Sequence, residues 1–464
     1  MPPPPERRSL FELTSAAGLS PRRFVADAGG RVTLDSLACG GSVVDTLDSL
    51  RGRSVLISYD RQLPAVLALL QLDGIASRIL LCPPDLAPAH LPAVLAEAQV
   101  DAIVSDGTGP AAQRPAGTPI ISCEPWVAPT ADASAWGEPT EWLLFTSGTT
   151  GRPKLVVHTL ASLAGPLDDG LVVPNDAVWS TFYDVRRYGG LQILLRALLG
   201  GGSMVLSQAD EPLVDFLSRA GRSGVTHMSG TPTHWRRALM SPAFGQIAPH
   251  YVRLSGEVAD QAILDALASA YPDAEIAHAF ASTEAGVGFD VRDGEAGFPA
   301  SLIGAPGAKA ELRIVDGTLH IRSARTASRY VGANGRLADN DGFVDTGDMV
   351  EVRGDRCYFV GRREGIINVG GQKVYPEEVE AIINQHPGVR MARVWGRRSP
   401  IIGAIVVADV VLRSSSPAGS FMAMREEILE QCKRVLPAHK VPAMLREVSS
   451  LEISSSGKLA RPRA

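Results

Sequence analysis

The stretch Trp142-Leu143-Leu144-Phe145-Thr146-Ser147-Gly148-Thr149-Thr150-Gly151-Arg152-Pro153-Lys154 is an apolar run that breaks into hydroxyls and glycines and ends on one lysine. Glycines let backbone N–H groups approach an anion with no Cβ in the way. The hydroxyls add donors, and the lysine spreads positive charge over phosphate oxygens. A nucleotide is the expected ligand. An isolated Gly-Thr-Thr-Gly is ordinary turn punctuation, whereas the nine residues from Thr146 to Lys154 form a much rarer combination. The pattern is not Walker A, because Lys154 stands between Pro153 and Leu155, where that motif needs Gly-Lys-Ser/Thr.

Outward from this loop the chain alternates short β-branched or leucine-rich runs with alanine-rich ones: Val55 to Ser58, Ala65 to Leu72, Arg78 to Leu81, Leu91 to Ala98, Ala102 to Val104. Such alternation predicts an α/β fold with a largely parallel sheet and helices on both faces. Met204 to Leu206 reads as a further strand, and Gln261 to Ala270 as a helix with Ile263, Leu264 and Leu267 on one face. After about Gly288 the pattern turns to hairpins, Glu311 to Val315 and Thr318 to Arg322 around Asp316-Gly317. The last part is mixed, with helices near Pro376 to Gln385 and Ala423 to Leu436 and a strand near Ile402 to Val411.

With 464 residues, 45% of them hydrophobic, the composition is that of a globular protein of two or more domains. A net charge of −5 from 45 basic and 50 acidic residues gives no reason to expect a nucleic-acid partner. Five scattered cysteines without a Cys-x-x-Cys pair argue against a disulfide framework or a zinc site and fit a reducing cytoplasm. No early apolar stretch reads as an export signal or a membrane anchor.

Further motifs follow in order: Ser255-Gly256-Glu257, Phe280-Ala281-Ser282-Thr283-Glu284, Asp345-Thr346-Gly347-Asp348, Gly361-Arg362, Gly370-Gly371-Gln372-Lys373-Val374-Tyr375-Pro376-Glu377-Glu378, and Ser456-Gly457-Lys458. With the phosphate loop, they make the chain resemble the acyl-adenylate-forming (AMP-binding) ligases: acyl- and aryl-CoA synthetases, peptide-synthetase adenylation domains and luciferases. The resemblance spans almost the whole length.

It implies an N-terminal AMP-binding domain over 1–363, closed by a small β-barrel over about 289–361, and a small mobile α+β C-terminal domain over 364–464. It also implies ATP-dependent activation of a carboxylic acid to an acyl-adenylate, with pyrophosphate release and transfer to the thiol of CoA. Transfer to a carrier-protein phosphopantetheine in trans, including amino-acid activation, is the alternative. A non-catalytic nucleotide-binding relative is a third reading, against which the joint retention of Lys154, Glu284, Asp348, Arg362 and Lys458 argues. A homodimer is compatible with the family.

By resemblance, Thr146, Ser147, Gly148, Thr149, Thr150, Gly151 and Lys154 wrap the β- and γ-phosphates. Thr283 reaches the α-phosphate and Glu284 binds Mg²⁺, a metal that needs few protein ligands beside phosphates. Asp348 takes the ribose hydroxyls, and Arg362 contacts ribose or phosphate. Gly256, Glu257 and Phe280 sit at adenine; relatives more often carry Tyr-Gly where this chain has Phe280-Ala281. Lys458 is the catalytic lysine. Glu364 is the hinge, where relatives usually have Asp or Lys, and Gly370 and Gly371 line the thiol channel. Tyr183, Arg186, Tyr188, Gly189, Gly230, Ala281 and Ser282 line the acyl pocket. Many CoA ligases carry an aromatic-His pair where this chain has Asp184 or Arg186, so Asp184, Arg186 or Arg187 facing inward, or all three around a solvated turn, are open alternatives. Aromatic residues with small neighbours, and no sign of a long apolar tunnel, point to a small or aromatic acid.

Overall fold

The computed structural model describes residues 8–39, 41–43, 47–107, 109–113, 119–121, 123–128, 139–146, 153–165, 174, 176–305, 308–332, 336–399, 403–413, 421–454 and 458–460. Residues 147–152 of the phosphate loop lie outside them.

Two large sheets carry the N-terminal part. One has seven strands, Arg329–Tyr330, Lys154–Thr159, Glu141–Thr146, Arg78–Leu81, Ser54–Ile57, Ala102–Val104 and Ile120–Ile121 in spatial order. Its β-branched centre is parallel, while Lys154–Thr159 runs antiparallel to both its neighbours, Glu141–Thr146 and the edge strand Arg329–Tyr330. The other has eight strands, with Val178–Thr181, His227–Gly230, Tyr251–Ser255 and Glu275–Ser282 adjacent and parallel.

Helices Gln62–Leu72 and Tyr188–Leu199 are buried over almost every residue. They belong to one core with Val55, Ile57 and Trp142 of the first sheet and Val25, Trp179 and Ala277 of the second. A helix covered on all sides by apolar residues is the expected middle layer between two sheets.

Strand Gly286–Val291 pairs antiparallel with Glu275–Ser282 and still belongs to the eight-stranded sheet. The smaller antiparallel sheet therefore begins later than the composition suggested: Phe298–Pro299, Arg356–Arg362, Val344–Arg353, Thr318–Ser323 and Ala310–Val315 in spatial order. The Asp316-Gly317 turn forms as predicted, with φ of 50° and 75°. Between two of these strands, Arg329–Tyr330 crosses back to pair with Val156 and Val157 of the large sheet, a tertiary excursion with no local signature.

The C-terminal part is a sheet of Gln372–Val374, Ile367–Val369, Gly403–Leu412 and Val389–Ser399, extended by Met444–Glu447, with helices Pro376–Asn384 and Phe421–Val435 packed on it. Cys82, Cys357 and Cys432 are buried free thiols. Among the described residues no helix is long and apolar enough to cross a membrane.

One buried acid carries a pH signature. Asp73 at the end of Gln62–Leu72 accepts from the Leu10 amide at 2.6 Å and from Trp142 Nε1 at 2.8 Å. Burial nevertheless raises its carboxyl from 3.8 to about 6. The native state then binds this proton more tightly than the unfolded chain, so its contribution is complete below about 4 and lost as pH rises through about 6. Asp73→Asn fixes a neutral side chain and removes this loss. Whatever its constant offset, denaturant unfolding should show the variant gaining about 2 kcal/mol relative to the parent between pH 4 and pH 7.

Candidate active site

The parallel strands of the eight-stranded sheet end together at Thr181, Gly230, Ser255 and Ser282. A crevice beyond the carboxyl ends of such strands is the usual ligand position in α/β sheets. Gly256 follows directly with φ of +85°, and a Cβ built on it would stand 3.5 Å from Lys458 Cε and 3.7 Å from Thr231 Cγ2. The positive φ is what favours glycine here; the distances mark how near Lys458 and Thr231 come to this turn.

Lys458 reaches this point because the C-terminal tail is held down. The Leu459 amide donates to Glu257 Oε1 at 3.0 Å, while Glu257 Oε2 accepts from the Thr233 amide at 3.0 Å. Ser454 closes the loop, accepting from the Lys458 amide through Oγ at 3.2 Å and donating its own amide to the Lys458 carbonyl at 2.8 Å. Burial first, then Arg362, holds the Lys458 ammonium below the ordinary lysine range, against the pull of Glu257, Asp348 and Glu284. One ammonium thus senses four of the groups identified from the sequence.

Asp348 and Arg362 face each other on paired strands. Arg362 Nε donates to Asp348 Oδ1 at 3.0 Å and Nη2 to the Thr346 carbonyl at 3.0 Å. Burial nonetheless raises the Asp348 carboxyl above the usual range, with Arg362 and Lys458 pulling it back. Thr146 and Lys154 are the paired ends of strands Glu141–Thr146 and Lys154–Thr159, so the loop between them starts and finishes at one place. Lys154 Nζ lies 5.5 Å from the centre of the Tyr330 ring. Burial, then Glu284, raises the Tyr330 hydroxyl, so the Glu284 carboxylate belongs to the same mouth.

Sequence reasoning missed His158. Fully buried, it donates from Nε2 to the Thr283 carbonyl at 2.7 Å, which leaves Nδ1 to accept from Ser162 Oγ at 2.9 Å. Burial lowers it to about 4, so it is a neutral brace under Thr283-Glu284. A histidine inside the apolar strand Lys-Leu-Val-Val-His-Thr is the signal that was available.

A small, partly open cavity runs beneath Ser255, next to Gly256, which Lys458 approaches. Tyr183, Tyr188, Gly189 and Ala281 line it, as the sequence suggested, together with Gln192, Ile193, Ser229, Arg253 and Val287, which it did not. Tyr183 is fixed by donation from its hydroxyl to the Ser255 carbonyl at 2.7 Å.

An AMP-binding enzyme family model matches residues 47–330, and the model of the AMP-binding enzyme C-terminal domain matches residues 378–458. The chain belongs to the AMP-binding enzymes. It is 27% identical over 342 residues to a 2-succinylbenzoate–CoA ligase of Listeria monocytogenes, covering 69% of this chain and 68% of that one. Its fold matches an anthranilate CoA ligase with a TM-score of 0.82 at 18% identity, covering 98% of this chain and 96% of that one. It also matches a benzoate CoA ligase from Burkholderia xenovorans with a TM-score of 0.79 at 22% identity, covering 97% and 98%. The enzyme is of the acid–thiol ligase, AMP-forming kind.

Several residues of this AMP-binding enzyme stand elsewhere than the sequence suggested. Arg186 does not line this cavity. It is buried in a two-bond pair with Asp184, Nε to Oδ1 at 2.8 Å and Nη2 to Oδ2 at 2.5 Å, and it donates to the Tyr59 and Asp60 carbonyls. Asp184 is thereby committed too, and Arg187 pairs with Asp85 at 2.5 Å. The three charges are neither acyl ligands nor a solvated turn; they tie the loop after Thr181 to the neighbouring sheet.

Gly230 is a packing glycine, since a Cβ there would meet Phe182 at 2.5 Å. Ser282 Oγ accepts from the Ala285 amide at 2.9 Å and shapes the turn into Thr283-Glu284. Phe280 stacks on Phe359 at 5.2 Å and Phe289 at 5.9 Å, so its ring is part of the small sheet's aromatic cluster. Gly370 and Gly371 form the exposed two-residue turn between Ile367–Val369 and Gln372–Val374, with φ of 57° and 85°. They are not drawn to the cavity. Glu364 lies exposed in the short turn Arg363–Gly365 between the two sheet systems.

Proposed function

We propose that the enzyme activates a small aromatic carboxylic acid with ATP and passes the acyl group to the thiol of CoA. The observation that carries this reading is the Lys458 ammonium beside Gly256, at the mouth of a compact cavity and within the field of Glu257, Asp348, Glu284 and Arg362. The three relatives named above act on ring-bearing acids by their names, and the cavity's tyrosines suit a flat ring.

A carboxylate oxygen of the acid attacks the α-phosphorus of ATP, the bond to the bridging oxygen breaks, and pyrophosphate leaves. Negative charge gathers where the new bond forms. Lys458 is the group that neutralises it, and a donor preorganised in a site shielded from water is worth far more than one in solution. Asp348 accepts from the ribose hydroxyls once they compete with Arg362, and Lys154 with its loop takes the β- and γ-phosphates. Thr283, braced by His158, reaches the α-phosphate.

The donor set also fits Mg²⁺: among the described residues no cluster of three acidic, His or Cys side chains exists, and Glu284 alone beside substrate phosphates suits a cation that keeps most of its waters. There it would supply charge neutralisation on the phosphates.

The thioester step needs Lys458 withdrawn. Glu364 lies between the last strand of the small sheet and the first of the C-terminal sheet, and is the pivot on this reading. Rotation there breaks the Leu459–Glu257 hydrogen bond and brings the exposed Gly370-Gly371 turn to the acyl-adenylate. The buried free thiols support a reducing, cytoplasmic setting.

The test is acid-dependent ATP–pyrophosphate exchange across a carboxylate panel, followed by detection of the CoA thioester. Exchange with ring acids and a CoA product are expected. ATP binding without acid-dependent exchange by any member of the panel would overturn the proposal.

A further inference from the structure

The inner end of the acyl cavity holds polar atoms that the protein itself leaves unmet. Ser229 Oγ, Arg253 Nε and Gln192 Oε1 are buried and have no hydrogen-bond partner among the described residues. Their side chains all line the cavity, and the residues are 1%, 4% and 3% exposed. The Tyr188 hydroxyl, on the wall of the same cavity, is unmet as well; four unmet buried polar atoms around one space are unusual, because such groups are almost always paired.

Their directions are held by their other atoms. Arg253 Nη2 donates to Asp290, and Gln192 Nε2 donates to the Leu163 carbonyl at 3.0 Å. Ser229 and Arg253 are register partners on adjacent parallel strands, so both side chains leave the same face of the sheet. Helix Tyr188–Leu199, which carries Gln192, packs over that face.

The three atoms ask for different things: Arg253 Nε can only donate, Gln192 Oε1 can only accept, and Ser229 Oγ can do either. A hydroxyl satisfies the set, since it accepts from the guanidinium while donating to the amide oxygen. A methyl group satisfies none of them. A second carboxylate would set its lone pairs against Gln192 Oε1, and Asp290 already offsets the charge on Arg253.

Depth agrees with this chemistry. Ser255, beside Gly256 and Lys458, lies two residues beyond Arg253 on the same strand face. At about 3.3 Å per residue the two are roughly 6.6 Å apart, close to the span of a benzoate from a carboxylate oxygen to a hydroxyl oxygen opposite.

We propose that the acid activated here is a hydroxylated aromatic acid whose ring hydroxyl, on the edge away from the carboxyl, is held by Arg253, Gln192 and Ser229. The inference rests on the acyl-activating function proposed above.

The experiment compares benzoate, 3- and 4-hydroxybenzoate, 4-methylbenzoate and terephthalate in pyrophosphate exchange, with the parent enzyme, Ser229→Ala and Gln192→Met. A hydroxybenzoate should exceed 4-methylbenzoate in kcat/KM by about tenfold or more. Each substitution should shrink that ratio several-fold. Equal rates for the hydroxy and methyl acids in the parent enzyme, or a preference for terephthalate, would overturn the hydroxyl assignment while leaving acid activation standing. A ratio unmoved in both variants would overturn the residue assignment. Exchange with none of the acids would remove both this inference and the function beneath it.

Discussion

Lys458→Ala is expected to lower acid-dependent pyrophosphate exchange by about 10²–10³, the usual effect of deleting one preorganised charge at a developing anion. The lysine is held at its post by the Glu257–Leu459 hydrogen bond and by Ser454, so the loss is of charge at a defined point rather than of a mobile tail. Two further readouts separate this role from a structural one. Thioester formation from acyl-adenylate supplied to the enzyme should survive the substitution, because the lysine is withdrawn in that step. The rate of adenylation should also fall as pH rises through a lysine pKa lowered by burial and Arg362, since only the protonated form serves. Lys458→Arg should move that fall to higher pH. Exchange left intact in Lys458→Ala would remove the mechanism proposed for the first half-reaction.

The second large effect is on stability. Arg186→Met is expected to cost about 3–5 kcal/mol, the typical consequence of removing one partner of a buried ion pair. Arg186 and Asp184 are 1% and 13% exposed at their side chains, so the stranded carboxylate has little access to water. The Tyr59 and Asp60 carbonyls lose a donor as well. Denaturant unfolding measures the loss, and the double change Arg186→Met with Asp184→Leu should recover most of it, because apolar replacements of a buried pair are often tolerated. The ranking of acids by the folded single variant should match that of the parent. A change in acid ranking without a loss of stability would restore Arg186 to the acyl pocket.

Arg186 and Arg253 show where sequence reading reaches its limit. Arg186 looked like a specificity residue because it follows Phe182-Tyr183 in a segment that lines the pocket in relatives. Its side chain turns away because Asp184, two residues before it, supplies a carboxylate in the right place and the Tyr59–Asp60 carbonyls close the cage. Arg253 drew no attention, although a charge inside the apolar strand Tyr-Val-Arg-Leu-Ser is the kind of exception that a fully buried parallel strand seldom permits. Its Asp290 partner lies 37 residues on, across a strand pairing that no local pattern reveals. His158 is similar: its bond to the Thr283 carbonyl spans 125 residues.

Local chemistry was legible where the polypeptide's own periodicity or turn geometry sets the answer. Strand Arg78–Leu81 and helix Gln261–Ala270 fall at the predicted residues, as does the Asp316-Gly317 turn, because alternating β-branched runs, helical spacing and a positive φ are properties of a few consecutive residues. The order of the motifs and the α/β class were likewise present in the amino-acid sequence alone, while residues 147–152 of the expected phosphate turn lie outside the described residues. Tertiary structure alone decided which polar side chains look into the cavity beneath Ser255 and which are spent holding loops together, and it brought Lys458 to Gly256 and Leu459 to Glu257, the latter pair 202 residues apart. The physical reason is that a buried charge or hydrogen-bonding atom takes its role from whichever partner folding sets beside it, and that partner is chosen by strand order and layer packing rather than by nearness along the chain.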